Sequence, residues 1–148
     1  MKRLELTLGA AFIAFVAFMA LMLPPGDVRL SAQGSNRDPV LCTQSVAVTG
    51  STAVTTELVA LSAGKRVYVC GFVLNGAGAT TVTFKTGTGT ACASTTASLT
   101  GAMKLIDGSS IPYGGGPGYV MRSPLSNALC WTNSGAVQVS GVVSYAQF

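Results

Sequence analysis

From residue 137 to residue 145 the chain alternates. Val137, Val139, Gly141, Val143 and Tyr145 fall on one side of an extended backbone, and Gln138, Ser140, Val142 and Ser144 fall on the other. A period of two is the signature of a strand with one buried face, whereas an amphipathic helix repeats its apolar residues every three or four positions. The same period recurs over 45–49, 54–61, 67–74, 80–85, 99–105 and 128–132, and more weakly over 118–122. Turn-forming clusters separate these runs: Thr49-Gly50-Ser51, Ala63-Gly64, Asn75-Gly76, Asp107-Gly108-Ser109, the glycines of 114–118, and Asn133-Ser134-Gly135. No stretch after residue 33 carries a helical period. The expected fold is therefore all-β, an antiparallel β-sandwich or jelly-roll-like domain of seven to eight short strands over 42–148.

The first 33 residues follow a different rule. Met1-Lys2-Arg3 is a basic flank, and between Leu6 and Leu23 the only polar residue is Thr7. As a helix, this apolar stretch would run roughly 27 Å at about 1.5 Å per residue, close to the thickness of bilayer hydrocarbon. Pro24-Pro25-Gly26 ends it. Residues 1–33 thus read as a signal peptide or a signal anchor, which would reach the membrane through residues 6–23 if retained. Cleavage after Ala32 would place Leu30 where a small residue is usual, so both outcomes stay open. Residues 34–41 form a short linker. The expected location is exported: extracellular, periplasmic or anchored facing outward.

All four cysteines, Cys42, Cys70, Cys92 and Cys130, follow the export segment. An even number in an oxidising compartment predicts two disulfides, and three pairings are open. The expected core comprises Val46, Val48, Leu58, Val67, Val69, Phe72, Leu74, Val82, Phe84, Leu99, Met103, Leu105, Leu129, Trp131, Val137, Val139 and Val143.

Much familiar chemistry is excluded by what is missing. The chain has no histidine, which removes Ser-His-Asp and Cys-His nucleophiles, His-ligated zinc and an imidazole pH switch. Five acidic residues leave little for a carboxylate-rich cation cage, so no metal or cofactor is expected. Ser62-Ala63-Gly64-Lys65 matches the S-x-x-K of Ser-Lys hydrolases, and Lys85-Thr86-Gly87 spells one of that motif's companions. The first joins two strands and the second closes a Thr-rich strand, and Ser-Asp-Asn is missing, so a turn and a strand end are expected. The glycine-rich segments lack the strand-to-helix setting of a phosphate loop. Past residue 33, Arg37, Lys65, Arg66, Lys85, Lys104 and Arg122 are scattered rather than arranged in a stripe, and no nucleic-acid partner is expected. Tyr113 and Tyr119 flank the glycine cluster and form the candidate ligand loop, where flat rings would suit a sugar.

The segments Val67-Tyr68-Val69-Cys70-Gly71-Phe72-Val73-Leu74, TTVTFKTG (80–87), LTGAMKL (99–105) and NALCWTNSGAVQVSGVVSYAQF (127–148) carry a resemblance. Their order resembles small β-rich proteins encoded by tailed phages, prophages and environmental viral contigs. That resemblance covers about residues 42–148 and implies a virion-surface or adhesion-like β-module with no enzymatic activity to carry over. The N-terminal apolar segment departs from it and points to an exported or tethered version. The expected function is a non-enzymatic surface or decoration-type module that self-associates as a homo-oligomer, trimers included, or on an envelope or virion surface. A carbohydrate- or small-ligand-binding module using 113–119 is the alternative. A pilin-like subunit ranks third, suggested by Glu5 before the apolar stretch but lacking a prepilin processing site.

Overall fold

A computed structural model of the protein describes residues 40–114, 116 and 118–148. The apolar segment 6–23 and most of the linker 34–41 lie outside the described residues. The rest is all-β, built as two antiparallel sheets. Ten strand segments form: β1 Gln44–Gly50, β2 Thr55–Val59, β3 Val67–Gly76, β4 Thr80–Thr88, β5 Ser94–Ser98, β6 Met103–Leu105, β7 Ser110–Gly114, β8 Met121–Arg122, β9 Ala128–Asn133 and β10 Val139–Gln147. Sheet A has the order β1-β10-β3-β7, with β8 also on β3, and sheet B has β2-β9-β4-β5, with β6 also on β4. Because β5 and β6 share one edge and β7 and β8 another, the ten segments fill eight positions. In chain order these run 1-8-3-6 in one sheet and 2-7-4-5 in the other.

The inner faces of both sheets supply one apolar cluster. Val48, Val67, Val69, Phe72, Leu74, Met121, Val139 and Val143 come from sheet A, and Val59, Val82, Phe84, Leu105, Leu129 and Trp131 from sheet B. Phe72 and Phe84 meet across the gap with ring centroids 4.9 Å apart. Most of the core expected from alternation is buried there, and Val46, Leu58, Leu99 and Met103 pack partly against it. Val137 is the exception. It lies outside β10, half-buried in the β9–β10 turn, which Asn133 holds through its side-chain N–H to the Val137 carbonyl at 2.9 Å.

Three register shifts explain where strict alternation misplaces residues. In β3, Ser144 pairs with Gly71 and Tyr145 with Val69, so Cys70 is the extra residue of a bulge. Val67 and Val69 point inward on one phase, and Phe72 and Leu74 on the other. A second shift falls between Glu57 and Val59, opposite Cys130 and Leu129. Leu58 is the extra residue, and Val59 takes the buried position expected for Leu58. The third lies between Thr86 and Thr88, where Thr95 and Thr96 of β5 together oppose Gly87. A bulge inserts one residue and so exchanges the two faces beyond it.

Two strands differ from the expected runs. Only Met103–Leu105 of 99–105 is strand, and only Met121–Arg122 of 118–122. The edge strands β5 and β7 escape alternation because their residues are nearly all exposed.

Candidate interaction surface

The disulfides resolve the open pairing as Cys42–Cys70 and Cys92–Cys130. Each clamps a non-strand segment onto the outer face of one sheet. Cys130 lies between the inward-facing Leu129 and Trp131, so its sulfur points out of sheet B to meet Cys92. Cys92 sits in a 3₁₀ turn, Thr90–Cys92, that folds back over Ala128, and all three residues of this small cluster are buried. Gly87 lies under that turn. A Cβ there would stand 2.8 Å from the Ser94 carbonyl oxygen and 2.9 Å from the Cys92 Cβ, which only glycine avoids. On sheet A, the bulge residue Cys70 holds Cys42 across the outer surface. Two bridges fit an oxidising, extracellular-type compartment.

Beyond Cys70, the row Ala146, Tyr68, Arg122 lies beneath or beside the rings of Tyr119 and Phe148, and the three rows on the other side of the bridge form an uncharged patch. One cross-strand row reads Ala47, Val142, Val73, Pro112; its neighbours read Thr49, Ser140, Asn75, Ser110 and Ser45, Ser144, Gly71, Gly114. No charge occurs at these twelve positions, and Val73 and Val142 are 38% and 41% exposed. A solvated face of an ordinary domain carries Lys, Glu, Arg or Asp interspersed, which keeps it from associating. Here that protection is missing.

The two candidate ligand tyrosines stand on different ring clusters. Tyr113, 57% exposed, stacks on Phe72 with centroids 5.5 Å apart. It borders a cleft of about 320 Å³ at the sheet edges, lined also by Leu99, Met103, Val120 and Met121. Tyr119 instead meets Tyr68 edge-on at 5.2 Å, and Tyr68 stacks on Phe148 at 4.6 Å. Arg122 lies over the Tyr119 ring at 5.9 Å, within cation–π range. The sequence gives no sign of this second cluster, because Phe148 and Tyr68 are brought together by the pairing of β10 with β3.

The motifs that spell chemistry are occupied structurally. Ser62–Lys65 closes a turn, the Lys65 N–H donating to the Ser62 carbonyl at 3.1 Å, with Gly64 at φ 73°. In Lys85-Thr86-Gly87, the buried Thr86 hydroxyl donates to the Ala128 carbonyl at 3.0 Å. Among the described residues no group of three or more Cys, Asp or Glu is placed to hold a metal ion. Comparison of the chain with protein-family models, with curated proteins and with solved structures finds no match.

Proposed function

We propose that the domain is a jelly-roll sandwich in an exported protein, and that it works as a non-enzymatic surface module of the decoration or adhesion kind that associates with itself. The strand order supports the first part: two four-position sheets read 1-8-3-6 and 2-7-4-5, the winding of eight strands through two Greek keys. Such rolls serve as capsid and lectin domains. The observation that carries the functional part is an uncharged patch on the outer face of sheet A, where twelve adjacent positions carry valine, alanine, proline, glycine and small polar groups. The resemblance to phage-encoded β-proteins and the N-terminal apolar stretch point the same way. Residues 1–33 then deliver the module across a membrane, as a cleaved signal or as an anchor.

Light scattering on the native full-length protein, together with co-sedimentation with virions or envelopes, tests this reading. Expected are particle masses at multiples of the subunit and recovery in the sedimented fraction. A monomer at every concentration, found only in the supernatant, refutes it.

A second reading rests on Tyr113, an exposed ring stacked at the mouth of an apolar cleft. Aromatic faces of this kind hold sugar rings or small apolar ligands. A saccharide found on a glycan array whose binding is lost in Tyr113→Ala supports it, and silence across the array counts against it.

A further inference from the structure

We propose that β1 is the assembly edge of the domain and that its occupant is β1 of a second copy, paired antiparallel about Ala47. The inference rests on the self-associating reading and names its contact. β1 pairs with β10 along one side and, among the described residues, has no strand on the other. An unpaired edge templates another strand unless charge, proline, a bulge or brevity blunts it. The other edges are blunted. β7 contains Pro112, β2 carries Glu57 and a register shift, β5 pairs irregularly and holds Thr95 at φ 48°, and β6 and β8 have three and two residues. β1 has seven residues in unbroken register, with neither charge nor proline.

Its own sequence is its complement. Ser45-Val46-Ala47-Val48-Thr49 reads nearly the same in both directions. An antiparallel second copy sets Val46 against Val48, Ser45 against Thr49 and Ala47 against itself. Val46 and Val48 belong to the core side, whereas Ser45, Ala47 and Thr49 are exposed on the outer side. Pairing about Ala47 therefore puts inner face beside inner face, the parity that a one-residue slip would break. Opposed Ser and Thr hydroxyls add cross-strand contacts. Sheet A then continues into the second copy, joining two uncharged patches, and the isologous two-fold contact closes with two subunits.

The chain just before β1 leads away from this edge. Cys42 is bonded to Cys70, and the Val40 carbonyl oxygen lies 3.5 Å from the Cys70 sulfur, so residues 40–42 cross toward β3 on the far side of β10.

The test uses the full-length chain in mild detergent, with mass measured by light scattering on a sizing column. Ala47→Lys places like charges directly opposite each other at the two-fold, and Ser45→Lys crowds the same contact. Both positions are exposed, and Trp131 emission verifies folding. Ala97→Lys, on the exposed edge strand β5, is the control. Expected is a dimer for the wild type and Ala97→Lys, and half that mass for Ala47→Lys and Ser45→Lys. Should Ala47→Lys misfold, Ser45→Lys decides. If both β1 variants assemble like the wild type, or if Ala97→Lys dissociates equally, the edge assignment falls while self-association stands. A wild-type complex with a foreign chain that Ala47→Lys releases overturns the homotypic pairing. A wild type that is monomeric throughout overturns both.

Discussion

Removing the Cys92–Cys130 bridge by a paired Cys92→Ala, Cys130→Ala substitution isolates what a crosslink contributes to this domain. The bridge spans 38 residues of sequence. In the chain-entropy account, opening a loop of that size relaxes the unfolded chain by about 3.9 kcal/mol. Both sulfurs are buried, at 2% and 0% exposure, so their loss also leaves a small void costing about 1 kcal/mol. One term opposes these. Ala91 and Cys92 have φ of 50° and 56° in the tethered turn, and Thr95 just beyond has 48°. Left-handed backbone costs a non-glycine residue about 1–2 kcal/mol, and an untethered turn can shed part of it. The net expectation is a loss of about 3–4 kcal/mol. At a urea slope of roughly 1.5 kcal/mol per molar, the midpoint falls by about 2 M. Trp131 is the only tryptophan and is 1% exposed, so its emission follows unfolding directly. A midpoint shift below about 0.5 M at unchanged slope would refute the reasoning.

Other substitutions probe separate parts of the fold. A Cβ on Gly141 would stand 2.0 Å from the Val73 carbonyl oxygen, at the centre of the β10–β3 pair, whereas one on Gly101 meets nothing within 4 Å. Gly141→Ala should therefore cost more than about 4 kcal/mol or abolish soluble expression, and Gly101→Ala should stay within about 0.5 kcal/mol in the same urea titration. Asn133, 2% exposed, accepts from the Thr80 hydroxyl at 2.6 Å and donates to the Val137 carbonyl at 2.9 Å. Asn133→Ala removes both buried bonds, leaving Thr80 only the Ser134 hydroxyl and the Gly135 N–H, and should cost about 2–4 kcal/mol, read as a lowered melting temperature. Cys42 and Cys70 are only half-buried, so mild reductant followed by alkylation should label them before Cys92 and Cys130, as peptide mass mapping would show.

The strands legible in the sequence are those with one buried and one wet face. β1, β3, β4 and β10 lie where the period of two places them, because burial on one side imposes that period; β9 lies in its expected run too, although the Cys92 flap buries its outer residues Ala128 and Cys130 as well. β5 and β7 stay hidden for the converse reason: the residues of Ser94–Ser98 are all exposed, and no pattern is imposed on them. Leu58 and Val59 show a second limit. The apolar pair is visible, but which member turns inward depends on a bulge opposite β9, a long-range fact. The cysteines are legible as a disulfide set and not as pairs, since Cys70 reaches Cys42 only after β3 bulges beside β10. Tyr113 and Tyr119 stand close in sequence and on different clusters in space, because β7 sets one against Phe72 while the chain beyond the glycines carries the other to Tyr68.

The positions of the bulges and bridges bear on how the outer faces are used. Each register shift touches a bridge: Cys70 is a bulge residue, Glu57 pairs with Cys130 beside the second shift, and Gly87, opposite the third, lies beneath Cys92. Neither bridge crosses the apolar cluster between the sheets. The sheets are joined by packing such as Phe72 on Phe84, and the bridges hold flaps against the outside. On sheet B the flap buries Ala128 and Cys130. On sheet A it reaches only the end of the sheet near Cys70, and Val73 and Val142 remain in solvent at the centre. Covalent tethers thus cover one sheet's middle and leave the other's bare, and the bare sheet is the one whose outer strand is uncharged and unblunted. A central patch and an edge of the same sheet, both lacking the charges that keep domains apart, favour contact through sheet A over a site built in the inter-sheet cleft.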